Sequence, residues 1–219
     1  MKILSMTNRK IILVGIGLVA VLSYISFFGY NIKSDYPELL EKVVNKSPKI
    51  VSDFKLIDHN EKVVTSDRFT NNWTFVFFGF TNCPDVCPAT LSQLVRLNKL
   101  LSIDVKYTKE PQFFFVSVDP GRDTTSHIAG YIKYFDRGFT GMTGTTNDIS
   151  SIEKQFNAFH ELGKKNKQGD YSVAHSATVF LVDPDGRHIA NFDPPMDITL
   201  VKKQFELFVE RYNKSLSLT

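Results

Sequence analysis

Residues 73–88, WTFVFFGFTNCPDVCP, begin with the strongest strand signal in the chain. Their first half, residues 73–80, is apolar nearly throughout, as a central strand buried on both faces should be. From Pro88 to about residue 103, apolar residues recur close to helical spacing. A proline suits the first turn of a helix, because its missing N–H leaves no hydrogen bond unmade there. The stretch therefore predicts a buried strand that leads into a helix, with two cysteines at the junction.

Strand and helix signals alternate on both sides of this stretch. The predicted elements are a hairpin over 54–57 and 62–64, a strand over 112–118, helices over 125–135 and from 147 or 148 to 159, a hairpin over 177–182 and 188–192, and a final helix over 200–212. Strands that alternate with helices predict an α/β sheet with a parallel part. With an antiparallel hairpin beside that part, the arrangement is the one expected of a thioredoxin-like fold.

The N-terminal segment predicts a transmembrane helix. Residues 11–32 contain no charged side chain, and these 22 residues are long enough, as a helix, to cross a bilayer core. Lys2, Arg9 and Lys10 precede the segment, so the positive-inside rule places residues 1–10 in the cytoplasm. A cleaved signal peptide is the main alternative, but no small-x-small cleavage site follows the apolar run.

Five segments are expected along the chain. They are a cytoplasmic N-terminus over 1–10, a transmembrane anchor over 11–32, a polar linker over 33–50, the thioredoxin-like domain over 51–213 and a tail over 214–219. The basic residues of the first segment account for the whole net charge of +3, so the rest of the chain is balanced. A neutral domain lacks the basic face that binds nucleic acid, and no nucleic-acid partner is expected.

The two cysteines, Cys83 and Cys87, are the only ones in the chain and lie four positions apart. A purely structural disulfide would close too short a loop to stabilise the fold much. At the start of a helix, the helix dipole should favour the thiolate, which is both a nucleophile and a soft metal ligand. Thiol–disulfide exchange enzymes of this fold use Cys-x-x-Cys. The wider spacing also suits two sulfurs that converge on one soft ion such as Cu(I), with an added imidazole allowing Cu(II).

Five histidines could supply that imidazole. His59 lies in a polar turn, His127 and His160 lie within or at the end of predicted helices, and His188 opens a strand. His175 stands immediately before the strand predicted from residue 177. In thioredoxin-like folds the loop before that strand packs against the cysteine loop. His175 is therefore the candidate ligand, with an ordinary loop histidine as the alternative.

Four motifs together resemble one known family. They are residues 79–88 (GFTNCPDVCP), residues 116–124 (VSVDPGRDT), His175 and residues 182–186 (VDPDG). The set resembles the SCO/SenC family of copper-binding assembly factors for cytochrome c oxidase. The likeness covers roughly residues 51–212, and a single N-terminal anchor also fits that family. The Cys-Pro-x-x-Cys-Pro segment is the most specific of the motifs, whereas Asp-Pro-Asp-Gly alone is a common turn.

The resemblance implies that Cys83, Cys87 and His175 bind one copper ion, as Cu(I) or Cu(II). It implies a membrane-anchored chaperone that delivers copper to subunit II of cytochrome c oxidase. Other periplasmic copper chaperones or thiol reductases are further expected partners. The expected location is a bacterial inner membrane, crossed once, with the C-terminal domain in the periplasm. No Arg- and Ser-rich presequence is visible, which favours this membrane over a mitochondrial one.

Two details of the motifs leave questions for the structure. Many family members have Asp directly before the histidine, where this chain has Ala174, so an acidic neighbour that tunes the site is absent. Asp119, Arg122 and Asp123 either lie near the site or form an Asx turn and helix cap.

Other functions use the same cysteines. A thiol–disulfide oxidoreductase that keeps the oxidase cysteines reduced would need only Cys83 and Cys87. A copper-responsive sensor would share all three ligands. A peroxidase is a weaker alternative, suggested only by Thr81 before Cys83.

Overall fold

The computed structural model describes residues 17, 19–21, 23–24, 36–52, 54–103 and 110–218. The chain divides into two compact units, with the boundary between Glu41 and Lys42. The first contains the short helix α1, Glu38–Glu41. None of the helices formed by the described residues combines the length and hydropathy of a membrane span. The predicted anchor over 11–32 lies mostly outside the described residues.

The second unit is built on an eight-stranded sheet with helices on both faces. In order across the sheet the strands are β1-β10-β9-β4-β5-β6-β2-β3. The strands are β1 Val44–Ile50, β2 Leu56–Asp58, β3 Val63–Val64, β4 Thr74–Gly79, β5 Gln112–Ser117, β6 Thr140–Thr143, β7 His160–Leu162, β8 Val173–His175, β9 Val179–Val182 and β10 Arg187–Phe192. The helices are α2 Val86–Ser102, α3 Thr125–Phe135, α4 Thr146–Phe156 and α5 Ile198–Leu216.

The central strand β4 organises the core. All six of its residues are buried, and it pairs in parallel with β5 and antiparallel with β9. Because side chains alternate along a strand, Phe75 contacts Phe205 of α5 on one face, with ring centroids 5.3 Å apart. On the other face, Phe78 contacts Phe156 of α4 at 5.6 Å. The predicted α/β sheet with a parallel part and a terminal hairpin is confirmed.

Residues 44–50, predicted to be part of a linker, instead form the edge strand β1, which pairs with β10. Its side chains are mostly exposed and polar, so the sequence carries no periodic apolar signal for this strand. Backbone hydrogen bonds hold it, including Asn191 N to Val43 O at 2.8 Å. The folded unit therefore begins near residue 42 rather than at 51. At the other end, α5 extends to Leu216, into the predicted tail.

The predicted helix ending near 159 is shorter in the structure. Thr145 and Asp148 form a reciprocal capping box at the start of α4, and Asn157 ends it in the left-handed region, at φ 54°. The chain is thereby free to turn, and His160 begins strand β7 instead of ending a helix. Strands β7 and β8 pair with each other in a separate two-stranded sheet. This hairpin carries His175.

Candidate metal centre

The cysteine loop connects β4 to α2. Cys83 N donates to Phe80 O at 3.2 Å, which turns the chain, and α2 begins at Val86. The N-cap residue, Asp85, makes no side-chain capping hydrogen bond. The Cys83 sulfur instead accepts a hydrogen bond from Cys87 N at 3.4 Å. It thereby pairs with one of the backbone N–H groups that have no partner within the first helical turn. This contact holds the two cysteines on the same side of the helix start.

Cys87 lies beneath the loop, fully buried, whereas Cys83 is half-exposed; neither is in a disulfide. The Cys87 sulfur packs against Gly79, where a β-carbon would lie 2.9 Å from it. Only a glycine can occupy that position without a shift in its neighbours. Burial raises the pKa of the Cys87 thiol well above its ordinary value. The expectation that the helix dipole favours the thiolate is therefore wrong for Cys87, because desolvation outweighs the dipole.

His175 ends strand β8 and faces the cysteines. Its Nδ1 lies 2.9 Å from the Ser176 carbonyl oxygen, and its Nε2 lies 3.4 Å from the Cys87 sulfur. Since a carbonyl can only accept, Nδ1 carries the proton and the Nε2 lone pair points towards the sulfur. Burial also lowers the pKa of His175, which favours the neutral, ligating form.

The three side chains form a compact cluster with the donor set of a copper site. The Cys83 and Cys87 sulfurs and one His175 nitrogen all lie within 4.8 Å of one another. The rings of Phe77 and Phe80 pack edge-on to the imidazole, with centroids 6.0 and 5.7 Å away. Two soft sulfurs and one imidazole suit copper in either oxidation state. Within the described ranges, this is the one group of three such ligands found together.

Asp123 anchors the cysteine loop. Its carboxylate accepts from Thr81 N at 2.9 Å, from Thr81 Oγ1 at 2.5 Å and from Ser117 Oγ at 2.5 Å. The cap of α3 is Thr124, which accepts from the backbone N–H of His127. Of the two interpretations left open for Asp123, its side chain serves the site rather than the helix cap.

Ala174 is exposed and lies opposite Glu161 on the neighbouring strand. Because successive side chains on a strand point to opposite faces, position 174 faces away from the side on which His175 meets Cys87. The partner that orients the imidazole is the Ser176 carbonyl. The alanine therefore leaves the contacts of the candidate ligands intact.

The other histidines lie apart from the cluster. Nδ1 of His59 accepts from Gly141 N at 3.0 Å, and His127 is exposed on α3. His160 Nδ1 lies within hydrogen-bond distance, 2.7 Å, of a Glu153 oxygen, a contact that the helix prediction for residue 160 missed.

His188 is buried rather than merely at the start of a strand, and its ring packs between Phe156 and Phe180. The alternation of β10 contained the signal, since His188 is in phase with the buried Ala190 and Phe192.

Known proteins that resemble this chain include copper-binding ones. The SCO1/SenC family model matches residues 43–210. The mitochondrial SCO2 homolog of Danio rerio is 37% identical over 63% of this chain and 49% of that protein. A SCO2-like protein of Rickettsia prowazekii is 31% identical over 90% of this chain and 91% of that protein. The crystal structure of yeast Sco1 with copper bound superposes with a TM-score of 0.69, at 28% identity, over 74% of this chain and 90% of that one. The chain spans about half the length of the mitochondrial relatives it matches.

Proposed function

Because this chain belongs to the SCO1/SenC family, we propose that it is a copper chaperone of cytochrome c oxidase assembly. Cys83 and Cys87 bind Cu(I), and together with His175 they bind Cu(II). The copper is then delivered to subunit II of the oxidase. Residues 11–32 anchor the protein in a bacterial inner membrane, with the copper-binding domain in the periplasm.

One observation carries this proposal: two sulfurs and one imidazole nitrogen lie within 4.8 Å of one another, and the imidazole lone pair already points at Cys87. A site of this kind needs little rearrangement to take up one ion. The copper-bound yeast relative shares the fold over 74% of this chain. The sulfur of Cys87 must lose its proton when the metal binds, so copper uptake is coupled to proton release.

The exposure of the site supports transfer rather than storage. Cys83 and His175 are both half-exposed, while Cys87 is buried. A partner can therefore approach two of the three ligands and exchange them one at a time for its own. Anchoring donor and acceptor to the same membrane surface raises their effective concentration, so that weak contacts suffice for the exchange.

The proposal is tested by titrating the reduced, full-length chain with Cu(I) and then Cu(II). One copper per chain is expected, with an intense thiolate-to-Cu(II) charge-transfer band that weakens and shifts in His175→Ala. His127→Ala, which changes an exposed histidine on α3, is the matched control and should keep the band. Failure of the wild-type chain to take up stoichiometric copper would exclude the chaperone function.

A second candidate function is thiol–disulfide exchange. Both cysteines are free, and the Cys83 sulfur already lies 3.4 Å from Cys87 N. In this reaction the half-exposed Cys83 attacks a partner disulfide as the thiolate and releases one partner thiol. Cys87 then attacks the mixed disulfide and releases the second. Two electrons and two protons pass to the partner, and the chain ends as the Cys83–Cys87 disulfide.

The two functions differ in their need for the histidine. Reduction of a test disulfide by the His175→Ala variant should continue, because every bond that forms or breaks is at a sulfur of Cys83, Cys87 or the partner. Rapid reduction by the wild type without copper binding would favour the oxidoreductase. Transfer of copper to the reduced copper-binding domain of oxidase subunit II, detected as a change in the absorption spectrum of that domain, would favour the chaperone.

A further inference from the structure

We propose that Asp119, Arg122 and Tyr171 form a clamp that positions His175 over the cysteines and so controls Cu(II) binding selectively. The Asp119–Arg122–Tyr171 clamp rests on the proposed copper function for its effect on the metal. Its effect on the position of the hairpin can be measured in the metal-free protein.

Four contacts join the three residues. The Tyr171 hydroxyl donates to Asp119 Oδ1 at 2.6 Å, and Arg122 Nε donates to Asp119 Oδ2 at 2.5 Å. Arg122 Nη1 donates to the Tyr171 carbonyl oxygen at 3.0 Å, and the guanidinium carbon lies 3.9 Å from the centre of the Tyr171 ring. Asp119 is almost completely buried, with 1% of its surface exposed. Charged hydrogen bonds in such a site are stronger than those at the surface.

The clamp reaches the candidate ligand from two directions. Tyr171 lies two residues before strand β8, which ends at His175. The Arg122 guanidinium also lies 5.7 Å from the centre of the Phe80 ring, and that ring packs edge-on against the His175 imidazole. Arg122 therefore lies against both the hairpin and the aromatic wall of the site.

A single short loop holds both halves of the site. Asp123 binds the cysteine loop through Thr81, and Asp119 with Arg122 binds the hairpin through Tyr171. The loop is itself a tight turn, in which Asp123 N donates to Asp119 O at 2.9 Å. The separation of the cysteine loop from the histidine hairpin is thus set by residues 119–123. The motif residues whose role the sequence left open acquire a function here.

The hairpin needs such a tether. Strands β7 and β8 pair with each other and are not part of the eight-stranded sheet. The hairpin also has the His160–Glu153 hydrogen bond as a second side-chain tether. That pair connects the hairpin to α4, whereas the clamp connects it to the loop that also holds the cysteines. Loosening the clamp should therefore move His175 relative to Cys87 more than breaking the His160–Glu153 hydrogen bond does.

Selectivity follows from which ligands each oxidation state requires. Cu(I) is satisfied by the two sulfurs, which lie on α2 and its preceding loop, outside the hairpin. Cu(II) gains from the imidazole, and its affinity falls when the imidazole is less well placed. The clamp should consequently affect Cu(II) binding and leave Cu(I) binding and disulfide reduction nearly unchanged.

The test uses Tyr171→Phe, which removes only the hydroxyl, and Arg122→Lys, which keeps the charge but loses the planar fork. Tyr212→Phe is the matched control, since it removes another tyrosine–aspartate hydrogen bond, to Asp185 at 2.9 Å, far along the sequence on α5. Full-length proteins are titrated with Cu(I) and with Cu(II). Loss of one partner that orients a metal ligand typically weakens metal binding about tenfold, and this is the expected loss for Cu(II). Cu(I) affinity and the control should change less than about twofold.

A metal-free measurement separates this inference from the proposed function. Backbone hydrogen exchange at Gly163 and Ser176, whose amides bond across the hairpin, should accelerate in Tyr171→Phe and not in Tyr212→Phe. Unchanged exchange would overturn the clamp, whatever the copper titration shows. Equal losses of Cu(I) and Cu(II) affinity would also overturn it, because they would indicate general destabilisation. If the wild-type chain binds no copper and exchange is still faster in Tyr171→Phe than in the wild type, the chaperone function is refuted and the clamp is retained.

Discussion

The two halves of the metal centre are built differently. The dithiol half, residues 79–88, follows the central strand, and its Cys87 is fully buried beneath it. The histidine half, residues 159–176, is a short hairpin outside the main sheet, and its Phe159 and Leu162 are 58% and 47% exposed. The dithiol half is rigid because it is buried in the core, whereas the histidine half is tethered by polar contacts and by the packing of Val173 and His175 against core residues. Protein segments with few buried apolar contacts open more readily than core elements.

This difference has a chemical consequence. The two sulfurs proposed to hold Cu(I) belong to the rigid dithiol half, and the imidazole proposed to add affinity for Cu(II) belongs to the tethered histidine half. A change of oxidation state would therefore change how strongly the hairpin is held to the site. The unprotonated Nε2 of His175 already faces the Cys87 sulfur. The histidine half therefore needs little movement to bind a metal ion, although it lies outside the main sheet.

The largest effect is expected from removing a ligand of the dithiol half. Cys87→Ser should abolish stoichiometric binding of both Cu(I) and Cu(II), and the reduction of a test disulfide as well, because every one of these reactions needs the sulfur. Metal analysis after gel filtration and a disulfide-reduction assay measure both losses. Retention of either oxidation state at wild-type affinity would show that Cys87 is not a ligand.

Removing the ligand of the histidine half should have a smaller and more selective effect on copper binding. Four-ligand zinc sites bind with about 10–16 kcal/mol, so one ligand contributes on the order of 3 kcal/mol, or about a hundredfold. His175→Ala should therefore weaken Cu(II) binding by about a hundredfold and leave Cu(I) binding close to the wild type. Competition with chelators of known affinity gives both constants. Equal losses for the two oxidation states would erase the distinction between the halves.

The rigidity of the dithiol half can be tested without copper. In Gly79→Ala the new methyl group would lie 2.9 Å from both the Cys87 sulfur and a Phe115 ring carbon. Overpacking of this kind lowers the free energy of unfolding by about 1–3 kcal/mol. Gly130→Ala on α3 is the control, because the new methyl group would meet nothing within 4 Å beyond the adjacent residues and the backbone of its own helix, and it should stabilise the helix by about 0.5–1 kcal/mol. Chemical denaturation measures both, and equal stabilities would refute tight packing at Gly79.

Copper binding should depend on pH through the buried thiol. Burial raises the pKa of Cys87, so its proton is still bound at neutral pH and must leave when the metal binds. At least about one proton per copper should be released, and the apparent Kd should fall about tenfold or more for each unit increase in pH. Calorimetry in two buffers with different ionisation enthalpies counts the protons. Binding without proton release would contradict the buried, protonated state.

The smallest expected effect concerns stability in mild acid. Burial lowers the pKa of His188 below its ordinary value of 6.5, so the folded chain binds fewer protons than the unfolded chain just below that pH. The free energy of unfolding should therefore fall as pH drops below about 6.5, by at most about 1.4 kcal/mol per pH unit from this residue. His188→Gln should reduce that slope, and His127→Gln, at an exposed position, should leave it unchanged. Equal slopes in all three proteins would contradict the prediction.

The two halves also differ in how far the sequence predicts them. The strand, the helix and Cys83 and Cys87 between them are local features with strong apolar patterns, and the structure reproduces them within two residues. The hairpin of the histidine half has three-residue strands about ten residues apart in sequence, too short for any periodicity to show. The position of His175 before a buried strand predicts it as a ligand, whereas the sequence wrongly predicts a helix at His160. The pairing that corrects this depends on backbone hydrogen bonds between segments with no apolar pattern.

Edge strand β1 was missed for the same physical reason, because its side chains contribute little apolar burial. The pKa of Cys87 was predicted in the wrong direction because burial depends on Gly79 and Phe115, which meet the sulfur only in three dimensions. Asp119 and Arg122 are visible in the sequence, but their partner Tyr171 lies 52 and 49 residues away.

X-ray absorption at the copper edge identifies the atoms that bind copper. The full-length chain is loaded with one equivalent of Cu(I) or Cu(II), and the scatterers around the metal are counted. Two sulfur ligands are expected for both oxidation states, with the outer-shell scattering of one imidazole in the Cu(II) form that disappears in His175→Ala. A Cu(II) site with fewer than two sulfurs, or with an imidazole signal that survives in His175→Ala, would contradict the assignment of Cys83, Cys87 and His175 as the ligands.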